Sequence, residues 1–167
     1  MDKGLALVTG GAGFIGSHLV DRLVLEGWRV RILDNFSTGR MENIKHHVDS
    51  EVVEVVKGDL KDLKCVEKAL EGVEVVFHFA ANPEVRVSTT NPEIHFNENV
   101  VATFNLLEAM RKRSAREIVF ASSSSVYGEL ENIPMATTVN IERYSFDYER
   151  YIFNHMTRAK LGRSKDD

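Results

Sequence analysis

Glycines at 10, 13 and 16 stand in the run Thr9-Gly10-Gly11-Ala12-Gly13-Phe14-Ile15-Gly16, between a short apolar stretch and an amphipathic one. That spacing suits a backbone that must turn tightly at Gly10, approach a diphosphate closely at Gly13 and pack a helix against a strand at Gly16. The unpaired amides and positive end of the following helix would then hold the anion. Asp34 closes the next apolar run, Val30-Arg31-Ile32-Leu33-Asp34, where a carboxylate accepts hydrogen bonds from a ribose. An acid at that point disfavours a 2′-phosphate, so the cofactor expected is NAD; the competing reading is a turn former at a strand end. Asp59, in Gly58-Asp59-Leu60, is placed to meet adenine or to cap a helix, and the sequence allows both.

Such residues work only if strands and helices bring them to one sheet edge. Continuous apolar runs predict strands at 5–9, 29–33, 52–57, 73–79 and 117–122, with helices at 14–26, 60–70 and about 92–112 between them. This alternation predicts an α/β fold: a Rossmann-type, doubly wound parallel sheet in three layers, with strand order 3-2-1-4-5 and right-handed crossovers. Ile15, Leu19, Val20 and Leu23 mark the inner face of the first helix, and Val100, Phe104, Leu107 and Met110 that of the long one. Residues 82–88 read as a loop on the ligand edge, with Arg86 available to a phosphate or simply solvated, and His78 as a packed core histidine. The rhythm stops after Pro134; residues 140–160 are expected to be helical, and 163–167 a frayed charged end. The division is therefore 1–134, a cofactor-binding domain, and 135–167, a divergent tail that leaves the fifth strand as an edge unless it covers it.

The 167 residues make one domain, able to bury roughly 68–70% of its unfolded surface without a metal or disulfide staple. A net charge of −4 argues against a broad surface for nucleic acid or anionic membrane. A single cysteine, Cys65, excludes an internal disulfide and a multi-cysteine zinc site, and no metal-ligating set is read from the sequence. With neither a signal-peptide core nor a membrane span at the N-terminus, a cytoplasmic setting is expected.

The glycine turn, Asp34-Asn35-Phe36-Ser37-Thr38-Gly39, Gly58-Asp59-Leu60, His78-Phe79-Ala80-Ala81 and Ser122-Ser123-Ser124-Ser125-Val126-Tyr127-Gly128 together resemble the extended short-chain dehydrogenase/reductases. Within them the chain is most similar to the NAD-dependent nucleotide-sugar epimerases and dehydratases, the UDP-glucose 4-epimerases above all. The resemblance covers about residues 3–134. It implies that Phe14 and Ile15 cap the pyrophosphate, that Asp34, Asn35, Ser37, Thr38 and Gly39 wrap the adenosine ribose, and that Asp59 and Leu60 flank adenine. It also implies that Phe79, Ala80 and Ala81 line the nicotinamide side. Asn99 matches a helix asparagine beside the cofactor, or is an ordinary surface residue. A UDP-hexose substrate and a homodimer built on the long helix are implied as partners.

The same resemblance places a catalytic hydroxyl at Ser123 and a tyrosine base at Tyr148, although a serine-rich strand end is otherwise a polar loop. In such enzymes a lysine four residues after the tyrosine lowers its pKa; a free phenol near 10 is only about one part in a thousand ionised at pH 7. Here Tyr148 is followed at that distance by Ile152, Tyr144 by Tyr148 and Tyr151 by His155. Residues 135–167 do not resemble the family's continuation, so a truncated epimerase with impaired turnover is expected. The alternatives are a non-catalytic NAD(H)-binding module and a regulatory or scaffold subunit.

Overall fold

The computed structural model describes residues 3–113, 115–121 and 141–145, the last of these by backbone alone. Five strands run parallel: β1 (Leu5–Thr9), β2 (Arg29–Asp34), β3 (Val53–Lys57), β4 (Val75–His78) and β5 (Glu117–Ala121). Their order is β3-β2-β1-β4-β5, as expected, and a sixth strand, β6 (Ile141–Ser145), joins β5. β6 is antiparallel, from Glu117 opposite Ser145 to Ala121 opposite Ile141. The expected helix over 140–160 is thus corrected for its first residues. The run Ile141-Glu142-Arg143-Tyr144 carries two residues that favour strands, Ile141 and Tyr144, and pairs with the edge of β5.

Every residue of β1 is buried because helices cover both faces of the sheet. Leu7, Leu33, Val76 and Ile118 face a core completed by Val66 and Leu70 near α2 (Leu63–Ala69) and by Leu106 and Met110. On the other face Val8, Val30, Ile32 and Val75 pack with Val20 and Leu23 of α1 (Phe14–Leu25). Ile15, expected on this inner stripe, is exposed instead. It lies in the first turn of α1, at the open end of the sheet, where no layer covers it.

Three further boundaries depart from the sequence reading. α2 begins at Leu63 rather than 60, because Asp62 caps it, accepting from the amides of Lys64 and Cys65 at 3.0 and 3.3 Å. The expected loop over 82–88 is partly helical, as α3 (Val85–Thr90). The long helix is composite: α4 (Pro92–His95), a π-turn segment (Phe96–Val101) and α5 (Ala102–Arg113). Wider turns shift the buried stripe, so α5 buries Ala102, Leu106 and Ala109 together with the expected Leu107 and Met110. Val100 and Phe104, expected inside, face outward at 53% and 52% exposure.

Candidate functional site

The glycine turn closes on its own backbone. The Gly10 amide donates to the Leu33 carbonyl at 2.9 Å, and the Gly13 amide to the Gly10 carbonyl at 3.0 Å. Gly10 adopts φ +70°, and a Cβ there would lie 2.7 Å from the Ala80 amide nitrogen, so both conformation and space require glycine. A Cβ on Gly16 would overlap the Gly10 carbonyl. Gly13 is the open member: its Cβ would meet only the Gly10 carbonyl oxygen, at 3.1 Å. No side chain caps α1, leaving its first-turn amides, with Phe14 and Ile15 exposed beside them, to an external acceptor.

Asp34 is buried at the tip of β2, and its carboxylate is held from two sides. Oδ2 accepts from the Ala12 amide at 2.9 Å and Oδ1 from the Phe36 amide at 2.8 Å. One residue therefore locks the glycine turn and shapes the segment after β2, where Phe36 takes a left-handed φ of 59°. A Cβ on Gly39 would fall 2.8 and 2.9 Å from the two carboxylate oxygens, so the missing side chain keeps the approach to Asp34 open. Asn35 accepts from the Ser37 amide at 3.0 Å and donates to Asp59 Oδ2 at 3.1 Å; Ser37 and Thr38 are exposed. The Arg40 amide and Asn43 Nδ2 both donate to the Ala12 carbonyl, at 3.0 and 2.8 Å, hanging the crossover on the turn.

Asp59 does not cap α2, as Asp62 does that. Its Oδ1 accepts from the Lys61 amide at 2.8 Å. Partial burial works to raise its pKa, but the Lys61 amide, the Asn35 amide and the Lys61 ammonium prevail and hold it below 3.8. Leu60 beside it is buried.

At the end of β4, His78 bridges two hydroxyls: Nδ1 lies 2.7 Å from Thr9 Oγ1 and Nε2 2.9 Å from Thr103 Oγ1. Burial lowers its pKa to about 4, so the ring is neutral at pH 7 and serves as packing. The Ala80 amide donates to Thr9 Oγ1 at 3.3 Å and the Phe79 amide to the Thr9 carbonyl at 3.1 Å, so this network also sets the Phe79–Ala80 backbone against Gly10. Ala81 is exposed. Asn99, in the π-turn, accepts from the Asn82 amide at 2.7 Å and donates to the Asn82 carbonyl at 3.2 Å, fastening the segment after β4 to the helix. Arg86 is exposed, its amide donating to Glu84.

The structure thus gathers the glycine turn, the Asp34 segment, Asp59 and the Phe79–Ala81 backbone at the carboxyl edge of β1, β2, β3 and β4. Ser123 and Tyr148 lie outside the described residues. Sequence reasoning missed Thr9, Asn82 and Thr103; the one available signal was position, since Thr9 immediately precedes Gly10 and Asn82 directly follows Ala80-Ala81. Among the described residues no helix is long and apolar enough to cross a membrane.

Residues 7–145 match the family described as GDP-mannose 4,6 dehydratase. A putative UDP-glucose 4-epimerase of Methanocaldococcus jannaschii is 47% identical over 133 residues, covering 78% of this chain and 42% of that protein. A bifunctional UDP-glucose and UDP-xylose 4-epimerase of Pisum sativum is 40% identical over 163 residues, covering 93% and 44%. Among solved structures, Thermus thermophilus UDP-glucose 4-epimerase in complex with NAD superposes with a TM-score of 0.71 at 36% identity, covering 94% of this chain and 50% of that one. The UDP-N-acetylglucosamine 4-epimerase of Methanobrevibacter ruminantium, in complex with UDP-N-acetylmuramic acid, gives 0.72 at 34% identity, covering 96% and 51%. The chain spans about half the length of these relatives or less. It belongs to the NAD-dependent epimerase/dehydratase family, on its UDP-sugar 4-epimerase-like side.

Proposed function

We propose that this chain is the NAD-binding half of a UDP-hexose 4-epimerase. The observation that carries the reading is the open cradle at the carboxyl edge, where Gly13 and Gly39 lack the side chains that would fill it. The residues present fit a dinucleotide. The uncapped first turn of α1 would hold the pyrophosphate through the amides at Phe14 and Ile15, and Asp34 with Asn35, Ser37 and Thr38 would hold the adenosine ribose. Asp59 and Leu60 would flank adenine, and Phe79, Ala80, Ala81 and Asn99 would line the nicotinamide side. NAD, when bound, supplies a hydride acceptor for a sugar hydroxyl carbon. Ser123 and Tyr148 are the residues proposed to hold and move the hydroxyl proton.

Within these 167 residues no tyrosine has a lysine four positions on, so its phenol would lack the ammonium that makes it a base at neutral pH. The chain by itself is therefore proposed to bind NAD(H) and to turn over UDP-glucose poorly or not at all, in a cytoplasmic setting. Calorimetric titration with NAD, followed by an assay of UDP-glucose and UDP-galactose interconversion, tests both parts. Saturable binding without turnover is expected. Failure to bind NAD overturns the reading, and full turnover overturns the assignment of an impaired site. The proposed protein partner is a second copy of the chain, meeting the α4–α5 face where Phe96, Val100 and Phe104 are exposed.

A further inference from the structure

Asp21 on α1 and the adjacent pair His46-His47, in the 3₁₀ turn Lys45–His47, converge on one point. Both imidazoles present Nε2 to the same carboxylate oxygen, Asp21 Oδ1, at 2.8 Å from His46 and 2.7 Å from His47. Their ring centroids are 4.2 Å apart, and the three donor atoms lie within 4.8 Å of one another. Neighbouring side chains ordinarily diverge; here the tight turn aims both rings the same way. The sequence hid the set because Asp21 stands 25 and 26 positions from its partners, across β2.

We propose that Asp21, His46 and His47 form a binding site for one divalent cation of the zinc class, outside the cofactor cradle. Two imidazole nitrogens and one carboxylate oxygen are a donor set that suits zinc, nickel or cobalt, with the remaining position open to water. Bonds of about 2.0–2.1 Å put tetrahedral ligand atoms about 3.3 Å apart, so each imidazole nitrogen needs to draw back from Asp21 Oδ1 by only about half an ångström. His46 and Asp21 are 52% and 42% exposed and have room to do so, while His47, at 12%, is held in place. On binding, the metal takes the Nε2 lone pair of each ring, so a proton held there toward Asp21 passes to Nδ1 or to solvent, and metal–ligand bonds replace the two hydrogen bonds. The ion would pin α1 to the crossover that also hangs on Ala12 through Arg40 and Asn43.

Calorimetric titration of ZnCl2 into the tag-free, chelator-treated chain at pH 7.5 tests the site, with Co2+ absorption in the visible range reporting tetrahedral nitrogen and oxygen ligation. One saturable site is expected, weakened at least tenfold in the double variant His46→Gln, His47→Gln and in Asp21→Asn. Circular dichroism of each variant checks that it is folded, and the isosteric change Asp21→Asn, at a part-exposed position, keeps the test valid if the histidine pair is needed for folding. Absence of saturable binding, or affinity unchanged in Asp21→Asn, overturns the proposal.

Discussion

The glycines at 13 and 16 are three residues apart and sit on opposite sides of the same turn, so their substitution separates folding from binding. At Gly13 the backbone is extended, with φ −74° and ψ 173°, a conformation any residue adopts, and a Cβ would make one tight contact, 3.1 Å from the Gly10 carbonyl oxygen, with open space otherwise. Gly13→Val should lower the urea unfolding free energy by only about 1 kcal/mol while lowering NAD affinity more than tenfold, because the branched methyls fill the open cradle. At Gly16 the Cβ collides with the Gly10 carbonyl, which cannot move without breaking the turn. Gly16→Ala should cost about 1–3 kcal/mol in urea unfolding, in the range of overpacked sites. Unchanged NAD affinity in Gly13→Val would refute the placement of the cradle. His78 carries a second residue-scale expectation. Its folded pKa of about 4 is below the 6.5 of a free imidazole, so between those values the unfolded chain binds more protons. Stability is therefore complete above pH 6.5 and falls as pH drops toward 4, by about 3 kcal/mol over the window. Asp59, held below 3.8, contributes its loss only at lower pH. Chemical denaturation at pH 7 and pH 4.5 should show the decline, and His78→Gln should flatten it; an equal decline in the variant would remove His78 as its cause.

The elements that place the cofactor edge depend on one fastening that hydrophobic periodicity could not reveal. Asn99 makes two hydrogen bonds to the Asn82 backbone from within a π-turn, an irregularity that often accompanies a functional position, and its Nδ2 also lies 3.1 Å from His95 Nδ1. Asn99→Ala should speed amide hydrogen exchange at Asn82 and weaken NAD binding severalfold while leaving exchange in β1 and β2 unchanged; exchange at Asn82 as slow as in the parent chain would reject the fastening. The parallel strands, their order and the glycine turn could be read from the sequence because buried strands are continuous apolar runs and a dinucleotide turn imposes local spacing. The face of the long helix was legible only in its second half, where Leu107 and Met110 are buried; a π-turn shifts the stripe without any special residue, so Val100 and Phe104 face outward. Asp34 illustrates a middle case. Its place at the strand tip follows from spacing, whereas its bonds to the Ala12 and Phe36 amides depend on tertiary closure. β6 was missed for a related reason: its partner is the β5 edge, and local propensity does not record whether an edge stands vacant nearby.

For the whole molecule, the outward faces of α4, the π-turn and α5 matter most. Phe96, Val100 and Phe104 recur every four residues along one side of the helix, at 57%, 53% and 52% exposure, with Ile94 near them. Fully burying an exposed side chain of this size releases about 1.5–3 kcal/mol, so these half-exposed residues gain about half of that each, and the stripe on two copies supplies about 5–9 kcal/mol against the entropic cost of pairing. A two-fold arrangement brings the same stripe from each copy together, and antiparallel helices can interlock residues spaced by four. Phe104→Lys keeps helix propensity and places a charge at the centre of that contact. Sedimentation velocity across a concentration series should find a dimer for the parent chain and a dissociation constant at least tenfold weaker for Phe104→Lys. NAD affinity should be unaltered, since Phe104 is exposed and is not among the residues proposed to hold the dinucleotide. A parent chain that stays monomeric at tens of micromolar, or a variant that associates as tightly, would mean that this face is covered by something other than a second copy.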